Sequence, residues 1–472
     1  MKSPIPDYLA RLLENVGPLD SGEPASYIDV LATADTSRSA VALATVDGSV
    51  YSVGDDAVEF SIQSISKPFV YALAIQDQGL DAVLDKVGVE PSGDAFNRLS
   101  LEAGTNRPMN PMINAGAVAT HALVVAADAT VEQRVDRIVQ ALSKLAGRPL
   151  HVDEAVYEAE LKDANRNMGI GYMLKAAGMI GCDPQDAVRG YIRQCSINVN
   201  VRDLAMMAGT LANAGVHPLT GERIMPQDSV RQVLSVMTTC GMYNSSGDWL
   251  SNVGIPAKSG VSGGIIGALP GQLGLAVFSP RLDERGNSVR GVAMCKQLSH
   301  DMGFHMMDMS QIGRASVRSW TTTVAGGANQ PHAGGQQQVA VFELRGAVRF
   351  AGAERLTRAI LKEIAQSRED SDDPGQGHSH GDGSAHAHIC AALFSFRNTY
   401  SLNDVARRLI HENIRRLAST TNIIIVDPAG VLQMASHMDV GSHHVYVVKT
   451  EAEAYHRIGG IGCRVVAQKT IL

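Results

Sequence analysis

Two groups of β-type segments flank a long, mostly helical stretch, and this order of elements constrains the fold most. The first group is a hairpin over residues 41–54, with Asp47-Gly48 as its tight turn. The second group is a meander, with strands predicted at 263–269, 273–279 and 289–295. Strands from both ends of a domain, with helices between them, predict one antiparallel sheet with an inserted helical lobe, an α/β fold.

The residues between about 100 and 250 have the Ala- and Leu-rich periodicity of helices, with Gly or Pro at their ends. The predicted helices are 115–127, 131–146, 163–180, 185–194 and 201–214. An earlier helix begins at Ser64 and stops at Gly79, and another helical segment lies near 297–310. The helices between about 100 and 250 would form the inserted lobe.

A second domain is predicted after residues 321–338, which are rich in Gly, Gln and Thr and therefore resemble a linker. The first domain then covers 1–320 and the second 339–472. In the second domain, strands at 339–346, 389–396 and 422–427 alternate with helices at 353–366 and 403–419, and VLQMA and VYVVKT follow. This alternation predicts a small α/β domain.

Charge and composition exclude several classes of protein. A net charge of -7 offers no basic stripe, so nucleic acid is not an expected partner. We expect a cytoplasmic protein without membrane association, because MKSPIPDYLARLLENV is not an apolar leader and no apolar run reaches the length of a membrane span. The six cysteines show no metal-binding spacing and are expected to be reduced thiols.

Ser64 and Lys67 stand three residues apart in SIQSISKPFV, so on a helix the ammonium can reach the hydroxyl. A serine is a nucleophile only when a base takes its proton, and lysine is a base only when burial or another cation lowers its pKa. Lys258, in PAKSGVSGG, is the candidate second cation. Ser-x-x-Lys also occurs by chance on solvated helix faces, but Lys258-Ser-Gly precedes a strand where β-lactamase-type enzymes keep Lys-Thr-Gly.

Several stretches closely resemble the glutaminase family of β-lactamase-like serine enzymes, over about residues 5–310. The stretches are FSIQSISKPF (60–69) and residues 107–117, 161–174, 191–199, 211–224, 240–247 and 257–264. The resemblance implies a β-lactamase/transpeptidase-like fold and hydrolysis of L-glutamine to L-glutamate and ammonia. It further implies that Ser64 is the nucleophile, Lys67 its base and Tyr243 a proton shuttle, while the Val261 and Ser64 N–H groups form the oxyanion hole.

The same resemblance assigns contacts with the substrate. Glu160 would bind the α-ammonium group, and the residues around the rest of glutamine would be Tyr27, Asn114, Asn167 and Tyr191 together with Ser64, Tyr243 and Val261. Alone, each of these residues has an ordinary alternative: a packed tyrosine, an asparagine cap or a solvated glutamate. The resemblance implies no metal or organic cofactor. It does imply a homodimer or a homotetramer.

Two other functions stay open from the residues. The same Ser-Lys pair could serve a β-lactam or ester hydrolase, or the first domain could be inactive in a protein that acts through interactions. The expected absence of export and the presence of Glu160 argue against the first alternative. The complete set of polar site residues argues against the second.

The second domain resembles the STAS module of anti-sigma-factor antagonists and transporter tails, chiefly in its apolar patterns, and would be regulatory. Ser401 lies near the position at which some such modules carry a serine that can be phosphorylated, although a helix N-cap is the simpler interpretation. The insertion 367–388 contains His378, His380, His386 and His388. Its flexible, Gly-rich composition favours a solvated loop over a metal site.

Overall fold

The computed structural model describes residues 3–93, 97–309, 316–326, 337–369, 388–460 and 463–465. The chain forms two compact units, one built from Ile5–His300 with Phe304–Met307, the other mainly from Asp308–Leu472. Each unit has its own sheet and its own apolar core.

The first unit combines a small sheet with many helices. Its strands are β1 (Ala40–Thr45), β2 (Val50–Gly54), β3 (Phe60–Ser61), β4 (Asn198–Val199), β5 (Ala257–Ser259), β6 (Gly264–Leu269) and β7 (Leu273–Phe278). Its helices are α1 (Ile5–Val16), α2 (Asp29–Ala32), α3 (Ser66–Gln78), α4 (Leu80–Leu84), α5 (Asn114–Ala122), α6 (Val131–Ala146), α7 (Glu154–Lys162), α8 (Asn165–Ala176), α9 (Pro184–Cys195), α10 (Val201–Ala212), α11 (Gln227–Cys240), α12 (Ser246–Asn252) and α13 (Val289–Met302). Short 3-10 turns occur at Gln63–Ile65, Tyr243–Ser245 and Met306–Met309.

The main sheet of this unit is antiparallel throughout, in the order β2-β1-β7-β6-β5. Strand β1 therefore pairs with β7, for example Ala42 with Ala276, which confirms that strands from both ends of the unit share one sheet. Every residue of β1, β6 and β7 is buried, so both faces of the sheet are covered. Helix α10 packs directly on β7, because a Cβ atom at Gly274 would lie 2.1 Å from the backbone nitrogen of Gly209.

The predicted strand at 289–295 is wrong, since these residues begin helix α13. The buried side chains of α13 include Met294, Cys295, Leu298 and Met302, a spacing that places them on one face of a helix. The prediction gave weight to a short apolar run, which does not distinguish a strand from a buried helix. The remaining strand of the sheet is instead β5, which carries Lys258.

The predicted helical lobe is present, and the five helices listed for it correspond to α5, α6, α8, α9 and α10. Helices α5, α8 and α9 share a core of their own that includes Val118, Leu174 and Ile192. The ends of these helices follow from local chemistry. Asp183 accepts hydrogen bonds at the start of α9 and Pro184 follows it, while Thr130 and Gln133 form a capping box at α6.

The second unit has a seven-stranded mixed sheet. Its strands are β8 (Ser316–Gly326), β9 (Gln337–Val348), β10 (His388–Leu402), β11 (Asn422–Val426), β12 (His437–Val440), β13 (His443–Val448) and β14 (Cys463–Val465), and its helices are α14 (Phe350–Glu369), α15 (Asp404–Ala418) and α16 (Glu451–Gly460). The order is β12-β13-β11-β10-β9-β8-β14, with β9, β10, β11 and β13 parallel. Helices α14 and α15 pack on one core of this unit and α16 on another.

The linker prediction for 321–338 is wrong at both ends of that range. Residues 321–326 belong to β8 and 337–338 to β9, and Thr321 pairs with Ala340. The run Thr321–Val324 is β-branched, which favours a strand even without large apolar side chains. The boundary between the units accordingly lies near residue 308, before β8. Residues 327–336 lie outside the described residues.

Other predictions for the second unit are also corrected. The insertion predicted at 367–388 overlaps α14 and the first residue of β10, and His378, His380 and His386 lie outside the described residues. Ser401 is a residue of β10, and the N-cap of α15 is Asn403, whose side chain accepts a hydrogen bond from the Ala406 N–H group. The run VLQMA forms no strand.

Two expectations about the whole chain can also be compared with the structure. Cys390 is disulfide-bonded, so the prediction that all six thiols are reduced is wrong. Pairing of cysteines depends on which strands meet, and linear spacing does not reveal that. In the described part of the chain, no helix has both the length and the apolar character needed to cross a membrane.

Candidate active site

Ser64 lies on the 3-10 turn Gln63–Ile65, which leads directly into α3. The α-helix itself begins at Ser66, two residues later than predicted, and Gly79 ends it as expected, with φ 85°. Gln63 has φ 50°, in the left-handed region that side chains rarely adopt. The turn therefore holds Ser64 in an unusual backbone environment, buried with 6% exposure.

A buried polar network maintains this turn. Gln63 Nε2 donates to Ser61 Oγ and to Glu160 Oε2, each at 3.3 Å. Ser66 Oγ donates to the Gln63 carbonyl oxygen at 2.8 Å, and Gln194 Nε2 donates to Ser66 Oγ at 2.9 Å. These bonds fix the strained residue from both sides, as expected where strain is retained at a functional site.

The turn after β5 packs against the turn that carries Ser64. A Cβ atom at Gly260 would lie 3.0 Å from Ile65 Cγ1 and 3.2 Å from the Ile62 carbonyl oxygen. The Gly260 N–H group donates to the Gly264 oxygen at 2.9 Å, and the Gly263 N–H group donates to the Gly260 oxygen at 3.0 Å. Val261 lies within this closed turn, and it lines one cavity with Ser64.

Lys67 is fully buried on the first turn of α3. Its Nζ donates to the Met112 carbonyl oxygen at 3.1 Å and to Asn114 Oδ1 at 2.8 Å. Burial lowers the pKa of Lys67 to about 8, against the smaller opposing effects of Cys195 and Glu160. A minor but accessible fraction of Lys67 is therefore neutral near physiological pH, and this neutral form is the one that can accept a proton.

Lys258 is also fully buried, with its Nζ 4.3 Å from the centre of the Tyr243 ring and 2.6 Å from the Ser259 carbonyl oxygen that accepts its hydrogen bond. Burial and then the charge of Lys67 hold the pKa of Lys258 well below its ordinary value. Lys258 is thus close enough to Lys67 for their two charges to interact, while burial is the largest cause of the lowered pKa of Lys67.

Tyr243 lies on a second 3-10 turn, with φ 51°. Burial raises its pKa, while a side-chain hydrogen bond with Ser64 acts in the opposite direction. The tyrosine is therefore protonated in the resting protein. It joins Ser64 to Lys258, whose Nζ lies over its ring.

A cavity of about 270 Å³ opens beside Ser64. Of the residues predicted from the sequence, those that line it are Tyr27, Ser64, Asn114, Glu160, Asn167, Tyr191 and Val261. Lys67 contacts this wall through Asn114, and Tyr243 lines a neighbouring cavity of about 280 Å³. The structure therefore brings the other eight predicted residues together around Ser64.

Asn114 connects the polar groups of the cavity. It is the first residue of α5, and its Oδ1 accepts hydrogen bonds from Lys67 Nζ and, at 3.3 Å, from the Tyr191 hydroxyl. Its Nδ2 donates to Asn167 Oδ1 at 3.1 Å. Burial is the main reason that the pKa of the Tyr191 hydroxyl lies well above its ordinary value, so Tyr191 is a neutral donor.

Glu160 is the acidic group that faces the serine turn. Burial raises its pKa to about 7, although the hydrogen bond from Gln63 and the charge of Lys67 favour the ionised form. Tyr27 stands at the opening with 58% of its surface exposed. Partial desolvation is the largest cause that raises the pKa of Tyr27, followed by the nearby Tyr243 and Glu160.

Sequence reasoning missed the residues that support the site. Gln63, Ser66 and Gln194 form the network under Ser64, and Gln194 Oε1 lies 3.0 Å from His121 Nδ1. Burial lowers the pKa of His121 to about 4, so this ring is neutral. The signal in the sequence was weak, because polar residues such as Gln194 in α9 are ordinary in helices.

Comparisons with known proteins identify the relatives of this chain. A family model described as Glutaminase matches residues 22–307. A glutaminase from Corynebacterium glutamicum is 45% identical over 430 residues, which cover 91% of this chain and 95% of the relative. A glutaminase from a Nostoc species is 45% identical over 311 residues, covering 66% of this chain and 92% of the relative.

The chain belongs to the glutaminase family. Among solved structures, Mglu in its glutamate form has a TM-score of 0.64 at 42% identity, over 91% of this chain and 100% of that one. A probable glutaminase from Bacillus subtilis complexed with 6-diazo-5-oxo-L-norleucine has a TM-score of 0.59 at 30% identity, over 65% of this chain and 98% of that one. These similarities favour a glutaminase over the alternative of a β-lactam or ester hydrolase.

Proposed function

We propose that this glutaminase-family chain hydrolyses L-glutamine to L-glutamate and ammonia through an ester of Ser64. Lys67 carries the proposal, because it is buried, has a lowered pKa and lies one turn from the serine. Neutral Lys67 accepts the proton of Ser64 Oγ as this oxygen attacks the side-chain amide carbon. The C–N bond then breaks and ammonia leaves with a proton from the site.

Water completes the cycle by attacking the glutamyl ester. The ester C–O bond breaks, glutamate is released and Ser64 recovers its proton. We assign Tyr243 the transfer of protons between Ser64 and the leaving or attacking group, since the Ser64 side chain is near enough to the Tyr243 side chain to influence its pKa. The Ser64 and Val261 N–H groups serve as oxyanion donors, consistent with the close packing of their two turns.

Recognition of glutamine is assigned to the rest of the cavity. Ionised Glu160 pairs with the α-ammonium group, and neutral donors suit the α-carboxylate. The proposed contacts with the head group are Tyr27, Asn114, Asn167 and Tyr191, in addition to Ser64, Tyr243 and Val261 at the reacting end. No metal or cofactor has a part in this scheme.

Covalent labelling tests the assignment of Ser64 directly. We expect 6-diazo-5-oxo-L-norleucine, which has an electrophilic carbon and loses N2 on reaction, to label the peptide that contains Ser64 in the wild-type protein. Ser64→Ala should not be labelled, and its rate of glutamine turnover should fall by about 10⁴-fold or more. The matched control is Ser235→Ala, on the exposed side of α11. Label on another residue, or near-normal turnover of Ser64→Ala, would refute the mechanism.

We further propose that the second unit is a STAS-like regulatory domain of a cytoplasmic homodimer or homotetramer. The run of parallel strands β9, β10, β11 and β13, with α14, α15 and α16 around them, supports this comparison. Light scattering would test the oligomer, and cell fractionation would test the location. Modification of Ser401 stays a prediction, now at a strand position.

A further inference from the structure

The hairpin of β12 and β13 presents three potential metal ligands on one face. His437 and Asp439 alternate along β12, and the register places His444 opposite Asp439 and Tyr446 opposite His437. Met438 and Val440, which alternate with them, pack on the main core of the second unit. The other face of the hairpin is therefore anchored, and the His/Asp face is held in a defined arrangement.

The three side chains already approach one another. Asp439 Oδ1 lies 3.0 Å from His437 Nε2 and 2.6 Å from His444 Nδ1, and the ligand atoms of all three residues are within 4.8 Å of one another.

Neighbouring groups orient the histidines. The His437 ring stacks on Tyr446, with the ring centres 4.8 Å apart, and the Arg457 guanidinium covers the same tyrosine at 4.8 Å. The backbone N–H group of His444 donates to Asn422 Oδ1 at 3.0 Å. The stacking limits rotation of the His437 ring, and the bond to Asn422 fixes the backbone that carries His444.

We propose that His437, Asp439 and His444 bind a divalent transition-metal ion of the Zn²⁺ type. Two imidazoles and a carboxylate form a suitable donor set, which leaves one position of a tetrahedral ion for water. Bonds of 2.0 to 2.1 Å would separate tetrahedral ligand atoms by about 3.3 Å. Asp439 Oδ1 must therefore move away from both imidazoles, and the three ligand atoms, which lie within 4.8 Å of one another, must adjust to that common spacing. The side chains are between 42% and 63% exposed and can make this adjustment.

Zn²⁺ titration calorimetry on the full chain tests the site. The protein carries no polyhistidine tag and is treated with a chelator to remove bound metal. His378, His380 and His386 are replaced by Ala, so that Zn²⁺ held by these imidazoles is not counted as Zn²⁺ at the proposed site. At pH 7.5 this background should bind one Zn²⁺ per chain, and binding should weaken at pH 5.5 because protonated imidazole is not a ligand. Zn²⁺ should be replaceable by Co²⁺, with visible absorption bands.

In the same background, the double variant His437→Ala/His444→Ala should no longer bind the one Zn²⁺ per chain. Asp439→Asn should lower the affinity for Zn²⁺ by about 10-fold or more. His443→Ala is the matched control, since this residue alternates with His444 along β13 and pairs with Val440. Unchanged glutamine turnover and circular dichroism would show that each variant is folded. Absence of Zn²⁺ binding in the background, or equal binding by His437→Ala/His444→Ala, overturns the proposal and leaves an ordinary surface His-Asp cluster.

Discussion

At the scale of single residues, two buried groups set the expected dependence of activity on pH. Glu160 must be ionised to bind an ammonium group and has a pKa of about 7, whereas Lys67 must be neutral to accept a proton and has a pKa of about 8. Both active forms are lost as the pH falls. A plot of log(kcat/KM) against pH should therefore rise with slope 2 below pH 7, with slope 1 up to pH 8, and then level off.

Glu160→Gln separates the two ionisations. The variant loses the charge that binds the ammonium group, at a cost of about 2 to 4 kcal/mol in kcat/KM, but it keeps Lys67. Its profile should have slope 1 throughout the acid range. A profile that keeps slope 2 in Glu160→Gln, or a wild-type rate that is flat between pH 6 and 8, contradicts these assignments.

The network under Ser64 provides a second prediction for single residues. Gln194→Leu removes the donor to Ser66 Oγ and loosens the support of the Gln63 carbonyl group. Because small displacements of a nucleophile are costly, kcat should fall by about 10- to 100-fold, while KM changes little. Gln232→Leu is the matched control, since its amide donates to the Tyr71 hydroxyl elsewhere. Equal effects of the two substitutions, or a change confined to KM, would show that Gln194 does not position the serine.

The sequence allowed prediction of those site residues that occur in recognisable motifs. Ser64, Lys67 and Glu160 were named from motifs; Ser64 and Glu160 line one cavity, and Lys67 lies behind its wall, bonded to Asn114. The effect of burial on Lys67 could not be predicted, because it depends on the walls that Met112 and Asn114 form around the amine. The support from Gln194 was equally hidden, since it acts through tertiary contact over a long sequence separation.

At the scale of elements, patterns that agreed with local turn chemistry gave correct predictions. The β1/β2 hairpin had its Asp-Gly turn, and α3 had its Gly79 stop. The prediction of a strand at 289–295 was wrong because a short apolar run does not show whether its periodicity is that of a strand or of a helix. The prediction of a linker at 321–326 was wrong because these residues, although they lack large side chains, pair with β9 as a strand.

The packing of α5 on α9 leads to a prediction about stability. A Cβ atom at Gly190 would lie 2.2 Å from His121 Nε2, a buried ring that cannot move into solvent. Gly190→Ala should therefore lower the free energy of unfolding by about 1 to 3 kcal/mol, as overpacked cores do. Gly247→Ala in α12 is the control, because nothing lies within 4 Å of its added methyl group. Denaturant unfolding measures both, and equal stability of the two variants contradicts the packing argument.

At the scale of the whole molecule, the boundary between the units determines where the chain can be shortened. The proposed catalytic residues all lie in the first unit. Met306 also belongs to this unit, and its N–H group donates to the Gly254 carbonyl oxygen at 2.8 Å. A chain that ends after Met307 keeps this contact and omits all of β8. A chain that ends near residue 327, at the linker expected from the sequence, would retain β8 without its partner β9.

We therefore expect the chain ending at Met307 to be soluble and to hydrolyse glutamine, because it retains its own sheet and core. The chain ending at Gly327 should aggregate, since an unpaired strand exposes its hydrogen-bonding edge. Light scattering and kcat/KM at several protein concentrations distinguish the two. If the shorter chain is monodisperse and its circular dichroism is that of a folded protein, but it is inactive, the second unit is needed for the active conformation and catalytic independence of the first unit is refuted.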